Sequence, residues 1–246
     1  LGRLVFKSLE MNASSKESQL QHLPYKAPQG RLGVYEMLWK VRAVELINSM
    51  YPEVESRKGV RILDFGSGRG ELLKMLRDQG YEVYGIDLDP ECVKLASQFG
   101  PCVQGTYTDL KRHFSEKYFD VVCALHVLEH LPAPVEAVKV LAWVTKSFAV
   151  FSVPNLCTPV RLEYKWHIRL PVNAGHIVGW DFSHFKNFIE VHCGLKVVRF
   201  LPDVVQVPHF SNLLWKLGVG EKMEAHWLPR VFPYLSHSIT ALCKIP

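Results

Sequence analysis

At 246 residues and 48% hydrophobic content, the chain can build one large α/β domain or one domain with a cap. The net charge of +5 is too mild to imply nucleic acid by itself, no apolar run reaches the length of a membrane span, and no secretory h-region is visible. The six cysteines, at 92, 102, 123, 157, 193 and 243, form no C-x-x-C pair, which points to reduced thiols in a cytoplasm.

Residues 1–30 read as an N-terminal extension, loose over the polar run Asn12 to Ser18, with Met11 a candidate native start. Residues 31–246 then read as a single domain. Leu32 to Met50 is an amphipathic helix with Val34, Met37, Leu38, Val41, Val44 and Met50 at three-to-four spacing, closed by Pro52. It is a packing helix, with Tyr35 a candidate to touch a ligand. Alternating units follow. Strands are expected at Val60–Leu63, Glu82–Ile86, Cys102–Gly105, Phe119–Leu125 and Phe148–Val153, with helices at Glu71–Gln79, Glu91–Phe99 and Val135–Val144. Such alternation means a Rossmann-like, doubly wound, mostly parallel sheet with ligands beyond the carboxyl ends of its strands. Trp180 to Val191 reads as a helix, and Leu195–Phe200 and His237–Cys243 as the last strands. Irregular inserts near 155–179 and 208–235 are candidate substrate lids.

The stretch Val60 to Gly70 carries the chemistry. A short apolar strand breaks into glycines at 66, 68 and 70 and runs into a helix. Glycines there let the backbone turn sharply and let a ligand approach. The helix start turns unsatisfied N–H groups toward that ligand. The dinucleotide fingerprint G-x-G-x-x-G is not met, because its third position is Glu71. Asp64 places a carboxylate where a pyrophosphate would be repelled and a cation attracted. Asp87, seventeen residues after Gly70, closes the second strand where it can accept hydrogen bonds from ribose hydroxyls. A ribose and a cation without a pyrophosphate suggest S-adenosylmethionine.

At these residues the sequence resembles the class I S-adenosylmethionine-dependent methyltransferases, well over Val60 to Pro154 and loosely beyond. The run Phe119-Asp-Val-Val-Cys-Ala-Leu-His-Val-Leu-Glu-His-Leu131 adds to the likeness. The resemblance implies a seven-stranded sheet whose last two strands form an antiparallel pair at the edge. It implies that Asp64 meets the methionine end of the cofactor and that Gly66, Ser67, Gly68 and Gly70 give backbone contacts. Asp87, with Leu88 beside it, takes the ribose. Thr106 and Tyr107 follow the third strand, where relatives often carry an acidic residue against the adenine; Thr106 departs from that pattern, and Asp109 could substitute. Leu125 and His126 face the reactive end.

His126-Val-Leu-Glu129-His130 matches the inverted zinc-protease string H-x-x-E-H, but it follows an apolar strand and meets Leu131-Pro132, whereas that motif needs a helix. The segment is also similar to a glutamate–histidine element of ubiquinone-biosynthesis O-methyltransferases and small-RNA 2′-O-methyltransferases. In some of these, two glutamates and a histidine bind a divalent ion. Only Glu129 and His130 carry over, His126 replaces the first glutamate, and His176-Ile-Val-Gly-Trp180 looks like a distal histidine element. Structural or cofactor-side use without a metal is the expectation. His176 is the candidate acceptor-side base. Tyr164, Trp166, Trp180, Trp215 and Trp227 either line an apolar acceptor pocket or pack the lid onto the sheet.

The leading function is methyl transfer to O or N of a small organic acceptor. Arg161, Lys165 and Arg169 support the alternative of an RNA methyltransferase, metal-assisted if Glu129, His130 and His176 hold an ion. A non-catalytic module using the cofactor fold would have no need of the intact glycine loop and Asp87. A nicotinamide dehydrogenase is disfavoured by Asp64 and Glu71.

Overall fold

The chain is seen in a computed structural model that describes residues 31–160, 175–207 and 210–246. The N-terminal extension lies outside the described residues. So does the stretch holding Arg161, Tyr164, Lys165, Trp166, His167 and Arg169.

Seven strands form one sheet. They are β1 (Arg61–Phe65), β2 (Glu82–Asp87), β3 (Cys102–Gln104), β4 (Phe119–Leu125), β5 (Thr145–Pro154), β6 (Lys196–Pro202) and β7 (Ser238–Lys244). The spatial order is β3-β2-β1-β4-β5-β7-β6. Strands β1 to β5 pair in parallel, and β7 is antiparallel to both β5 and β6. The antiparallel strand therefore sits one place in from the edge, and β6 forms the edge itself.

The centre is buried on both faces, as a parallel sheet requires. In β4 every residue but Asp120 is buried. Its side chains alternate between two cores. Val122 and Ala124 join Leu63, Phe65 and Phe151 on one face. Val121, Cys123 and Leu125 join Ile62 on the other. The first face is covered by α6 (Pro134–Trp143) and by α7 (Phe182–Asn187) with the π-turn Phe188–His192 that continues it. The second is covered by α1 (Arg31–Met50), α3 (Glu71–Asp78) and α4 (Pro90–Ala96). Successive connections leave β1 in opposite directions, to β2 on one side and β4 on the other. The crevice at that switch point opens beyond the strands' carboxyl ends.

Boundaries moved where capping decided them. Asp181 caps α7 by accepting from His184 N–H at 2.8 Å, so the helix starts at Phe182 rather than Trp180. In α1 the buried positions are Tyr35, Leu38, Ala43, Val44, Leu46 and Ile47, and Val41 is only half-buried. Three short elements had no periodicity to announce them: α2 (Val54–Arg57), α5 (Leu110–His113) and a 3₁₀ turn at Leu128–His130. The second insert is also helical. It holds α8 (Phe210–Lys216), a π-turn at Lys222–Trp227, α9 (Leu228–Val231) and a 3₁₀ turn at Pro233–Leu235.

One buried carboxylate fastens this insert to α1. Glu224 is fully buried and accepts from Tyr35 Oη, from Ser211 Oγ and, at 2.8 Å, from Trp215 Nε1. Arg42 adds bonds to the carbonyls of Pro202 at 3.1 Å and Ala225 at 2.8 Å. Tyr35, a candidate ligand contact from sequence, is thus turned to the insert, because a buried carboxylate must find donors. Asn155 holds the far end through the carbonyls of Tyr234 and Ser236.

Candidate active site

Gly66, Gly68 and Gly70 have φ of 77°, 51° and 85°, the left-handed region that favours glycine. Two of them are also fixed by space. A Cβ at Gly66 would run into Val127 Cγ2, and one at Gly70 would lie 2.7 Å from Phe99 Cδ2 and 2.9 Å from Ala96 Cα. The loop is tied to β2 by Gly66 and Ser67 N–H donating to the Ile86 carbonyl. Gly68 N–H donates to Asp87 Oδ2 at 2.8 Å. One Asp87 carboxylate therefore holds the loop and faces the crevice.

That crevice has a volume of about 360 Å³. Its walls include Gly66, Asp87, Leu88 and Thr106 at one end and His126, Val127, His130 and Leu131 at the other. Of the residues expected from sequence, Gly66, Asp87, Leu88, Thr106 and His126 line it. Leu88 is 68% exposed, an apolar side chain with its face open to the cavity mouth. Ser67, Gly68 and Gly70 shape the loop behind it. Leu125 and Tyr107 do not line it: both pack into the two cores. Asp109 turns inward on its own loop, with Oδ2 accepting from Thr106 N–H at 2.9 Å and from Thr106 Oγ1 at 3.2 Å. Sequence reasoning missed Phe65, Gly105, Val127 and Leu131. Their signal was apolar or small residues directly after strand ends, which is also the signal of ordinary core.

Asp64 is buried at the end of β1, and burial pushes its carboxyl up to about 8 against the pull of Lys40, with the charges of Asp87 and Glu71 adding to the rise. Lys40 reaches over from α1 and pairs with Glu71 at 3.3 Å.

Beyond β4 the chain bends sharply. His126 has φ 56°, uncommon for a residue with a Cβ. Its ring lies 4.4 Å from that of Trp39, its Nε2 is 3.0 Å from Ser238 Oγ, and its Nδ1 is 3.6 Å from Glu129 Oε1. Burial, then the fields of His237, His176, His130 and Lys40, pull the imidazole down to about 3. Burial pushes Glu129 up to about 7, and neither of its oxygens has a hydrogen-bond partner among the described residues. His176 arrives from the first insert. Ile177 and Val178 N–H donate to the Glu129 carbonyl, and the His176 ring lies 4.8 Å from that of His130. His130 Nδ1 is 2.9 Å from the Gly175 carbonyl, which fixes its N–H there and leaves Nε2 as the free lone pair. Ligand atoms of Glu129, His130 and His176 lie within 4.8 Å of one another, and His126 is not among them. The zinc-protease pair of histidines is therefore absent from this turn.

The aromatic residues divide. Trp180 is buried against Phe185 and Phe188, and Trp215 donates to Glu224, so both pack the fold. Trp227 is half exposed and does not line the crevice.

A doubly wound sheet with this glycine loop, an acidic residue closing β2 and a crevice at the β1–β4 switch point is the class I methyltransferase architecture. Solved structures agree on the fold. Magnesium protoporphyrin IX methyltransferase from Synechocystis PCC 6803 with bound SAH superposes with a TM-score of 0.61 at 14% identity, covering 96% of each chain. An S-adenosylmethionine-dependent methyltransferase from Archaeoglobus fulgidus gives 0.55 at 20% identity, over 87% of this chain and all of the other.

The chain belongs to the methyltransferase-domain family, whose model matches residues 35–190. Relatives by sequence are ubiquinone biosynthesis O-methyltransferases. That of Idiomarina loihiensis is 28% identical over 60% of this chain and 61% of its own length. That of Rickettsia canadensis is 24% identical over 85% and 89%. That of Xylella fastidiosa is 35% identical, and the match spans 39% of its length. No described helix is long and apolar enough to cross a membrane.

Proposed function

We propose that the protein transfers a methyl group from S-adenosylmethionine to an oxygen or nitrogen of a small organic acceptor. The observation that carries this reading is the crevice. Glycine backbone and a ribose-ready carboxylate stand at one end, and apolar walls with histidines stand at the other. The residues fit the cofactor. Gly66 to Gly70 and Asp87 would hold it, with Leu88 and Thr106 on the adenine side and Asp64 at the cationic end. Bound there, it supplies a methyl group already activated as a sulfonium, so the protein has mainly to align the acceptor and exclude water. Val127 and Leu131 give the acceptor side an apolar wall, and the names of the sequence relatives favour a small-molecule acceptor. His176 is the acceptor-side base, needed only if the acceptor must lose a proton.

The test starts with calorimetric binding of S-adenosylhomocysteine. Asp87→Ala should weaken it at least tenfold, through loss of charge-assisted hydrogen bonds of about 1.5–3 kcal/mol. Unchanged affinity would remove Asp87 from the ribose site. His176→Ala should leave that affinity intact and abolish transfer from labelled S-adenosylmethionine to a panel of phenols and amines.

A second reading rests on the unpartnered Glu129 carboxylate beside His130 and His176. One carboxylate and two imidazoles suit Mn²⁺ or Zn²⁺ better than Mg²⁺. An ion there would place a Lewis acid at the acceptor side and raise the standing of RNA as the substrate. Heat released on adding Mn²⁺, absent in Glu129→Gln, together with RNA binding that weakens with salt, would favour it.

A further inference from the structure

The second insert carries more of the exposed large hydrophobic side chains than all the other described residues together. Fifteen large hydrophobic side chains are exposed among the described residues, and eight of them fall between Phe210 and Tyr234. Their spacing is regular. In α8, Ser211 and Leu214 are buried inward, while Phe210 and Leu213 face out at 51% and 49% exposure, with Leu217 following at 65%. In the next helical run Trp227 and Val231 stand four residues apart, on one side, and are about half exposed; the run ends at Val231, and Phe232 is about half exposed just beyond it.

A basic stripe lies one position round that same run. His226, Pro229, Arg230 and Pro233 line a cleft of about 580 Å³ opposite Arg42 and Arg199, the latter on the edge strand β6. The acidic residue in the lining, Glu45, is taken up by Arg42 at 2.8 Å and 2.9 Å. No ion pair of Arg199 or Arg230 occurs among the described residues.

An apolar stripe rich in aromatic residues beside unneutralised arginines is the composition of a helix that lies in a lipid headgroup layer. We propose that this face docks the protein onto an anionic phospholipid bilayer. Trp227 and Val231 enter the headgroup boundary, and Arg199 and Arg230 meet lipid phosphates. A second copy fits less well, because a two-fold contact would set each pair of arginines near its own equivalent. A nucleic acid would leave the apolar stripe unused. Strand β6 runs parallel to β5, so its end at Pro202 lies on the side where the crevice opens, and docking would bring the acceptor side toward the lipid. That last consequence rests on the proposed reaction; the docking does not.

The experiment is flotation of the full chain with phosphatidylcholine vesicles, with and without phosphatidylglycerol, alongside S-adenosylhomocysteine binding as a check of the fold. The protein should float only with the anionic vesicles. Arg199→Ala and Arg230→Ala should each weaken binding about fivefold. The double variant Trp227→Ser/Val231→Ser should no longer float, with cofactor binding unchanged. Absence of flotation at low salt, or flotation of the double variant like the native chain, would overturn the proposal. So would a concentration-dependent dimer that the double variant abolishes, which would make the face an interface between copies.

Discussion

The two sides of the crevice are built differently. The side proposed for the cofactor is made by neighbours in sequence: a strand, three glycines and one aspartate at the end of the next strand. Its shape is mostly backbone. The side proposed for the acceptor is made by side chains from distant parts of the chain. His126 meets Trp39 and Ser238, and the Glu129 carbonyl takes the N–H groups of Ile177 and Val178 that follow His176. The first kind of site tolerates few changes because the backbone has no alternative path. The second kind stores its properties in burial, through groups whose ionisation is far from ordinary.

The largest effect should come from Gly66. An alanine there meets Val127 and must also take a φ of 77°. Overpacking and left-handed strain together should destabilise the fold by about 2–5 kcal/mol and remove cofactor binding. Pairing it with Val127→Ala should restore most of the stability, leaving about 1–2 kcal/mol of backbone strain. If the double variant stays as unstable as the single one, the glycine is needed for its conformation and not for its space. Denaturant melts of the two variants decide this.

Glu224→Ala should come next. It strands three buried donors and loosens the insert, at a cost of about 3 kcal/mol or more. The comparison demands that this loss be local. S-adenosylhomocysteine affinity of the folded variant should change little, because the bonds of Glu224 to Tyr35, Ser211 and Trp215 tie the insert to α1. A parallel collapse of cofactor affinity would show that the second insert and the glycine loop form one unit.

Asp64 links the two kinds of construction, because it is a local residue with a buried charge. Its carboxyl is raised to about 8, so it holds a proton at neutral pH. Binding a cation to the ionised form should strengthen by about tenfold per pH unit up to about pH 8, and Asp64→Asn should flatten that profile. Stability should move the other way. A carboxyl with a raised folded pKa stabilises the fold at low pH, and that contribution is lost as the pH rises from 3.8 toward 8. Glu129, raised to about 7, acts in the same sense. Thermal melts at pH 5 and pH 8 should therefore show Asp64→Asn and Glu129→Gln gaining on the native chain at the higher pH.

What could be read from sequence follows the same division. Strands β1 and β2, the glycine loop and Asp87 announce themselves within thirty or so residues, and β4 by its own apolar run, since each depends on local pattern alone. Tyr35 was a reasonable ligand contact by position, but its hydroxyl is claimed by Glu224, which stands 189 residues away. Trp180 had an aromatic's usual ambiguity, and a cluster with Phe185 and Phe188 resolved it toward the core. Leu125 follows the strand whose end meets the crevice, but its side chain packs with Ile62, Val121 and Cys123 and does not line the cavity, a consequence of the two-residue period of the strand. The buried state of Glu129 has no signature in one sequence, because burial is a property of the whole packing.

The smallest effect is expected at Asp109, and it sharpens the cofactor side. From sequence the residue could stand in for a missing acidic contact to adenine. In the structure Thr106 N–H and hydroxyl bind it, and Arg112 approaches its other oxygen at 3.3 Å. The backbone N–H of Thr106, then its hydroxyl, hold the carboxyl below its usual range, which is what a turn-forming carboxylate shows. Asp109→Ala should therefore lower the melting temperature slightly, by about 2 °C. That loss should shrink as the pH falls below the ordinary carboxylate range and through the lowered pKa of the folded carboxyl. Cofactor affinity should change less than about threefold, since a solvent-screened residue acting through its turn has little direct leverage. A tenfold loss of affinity at unchanged melting temperature would instead make Asp109 the adenine contact. Thr106 would then be only the hinge that presents it.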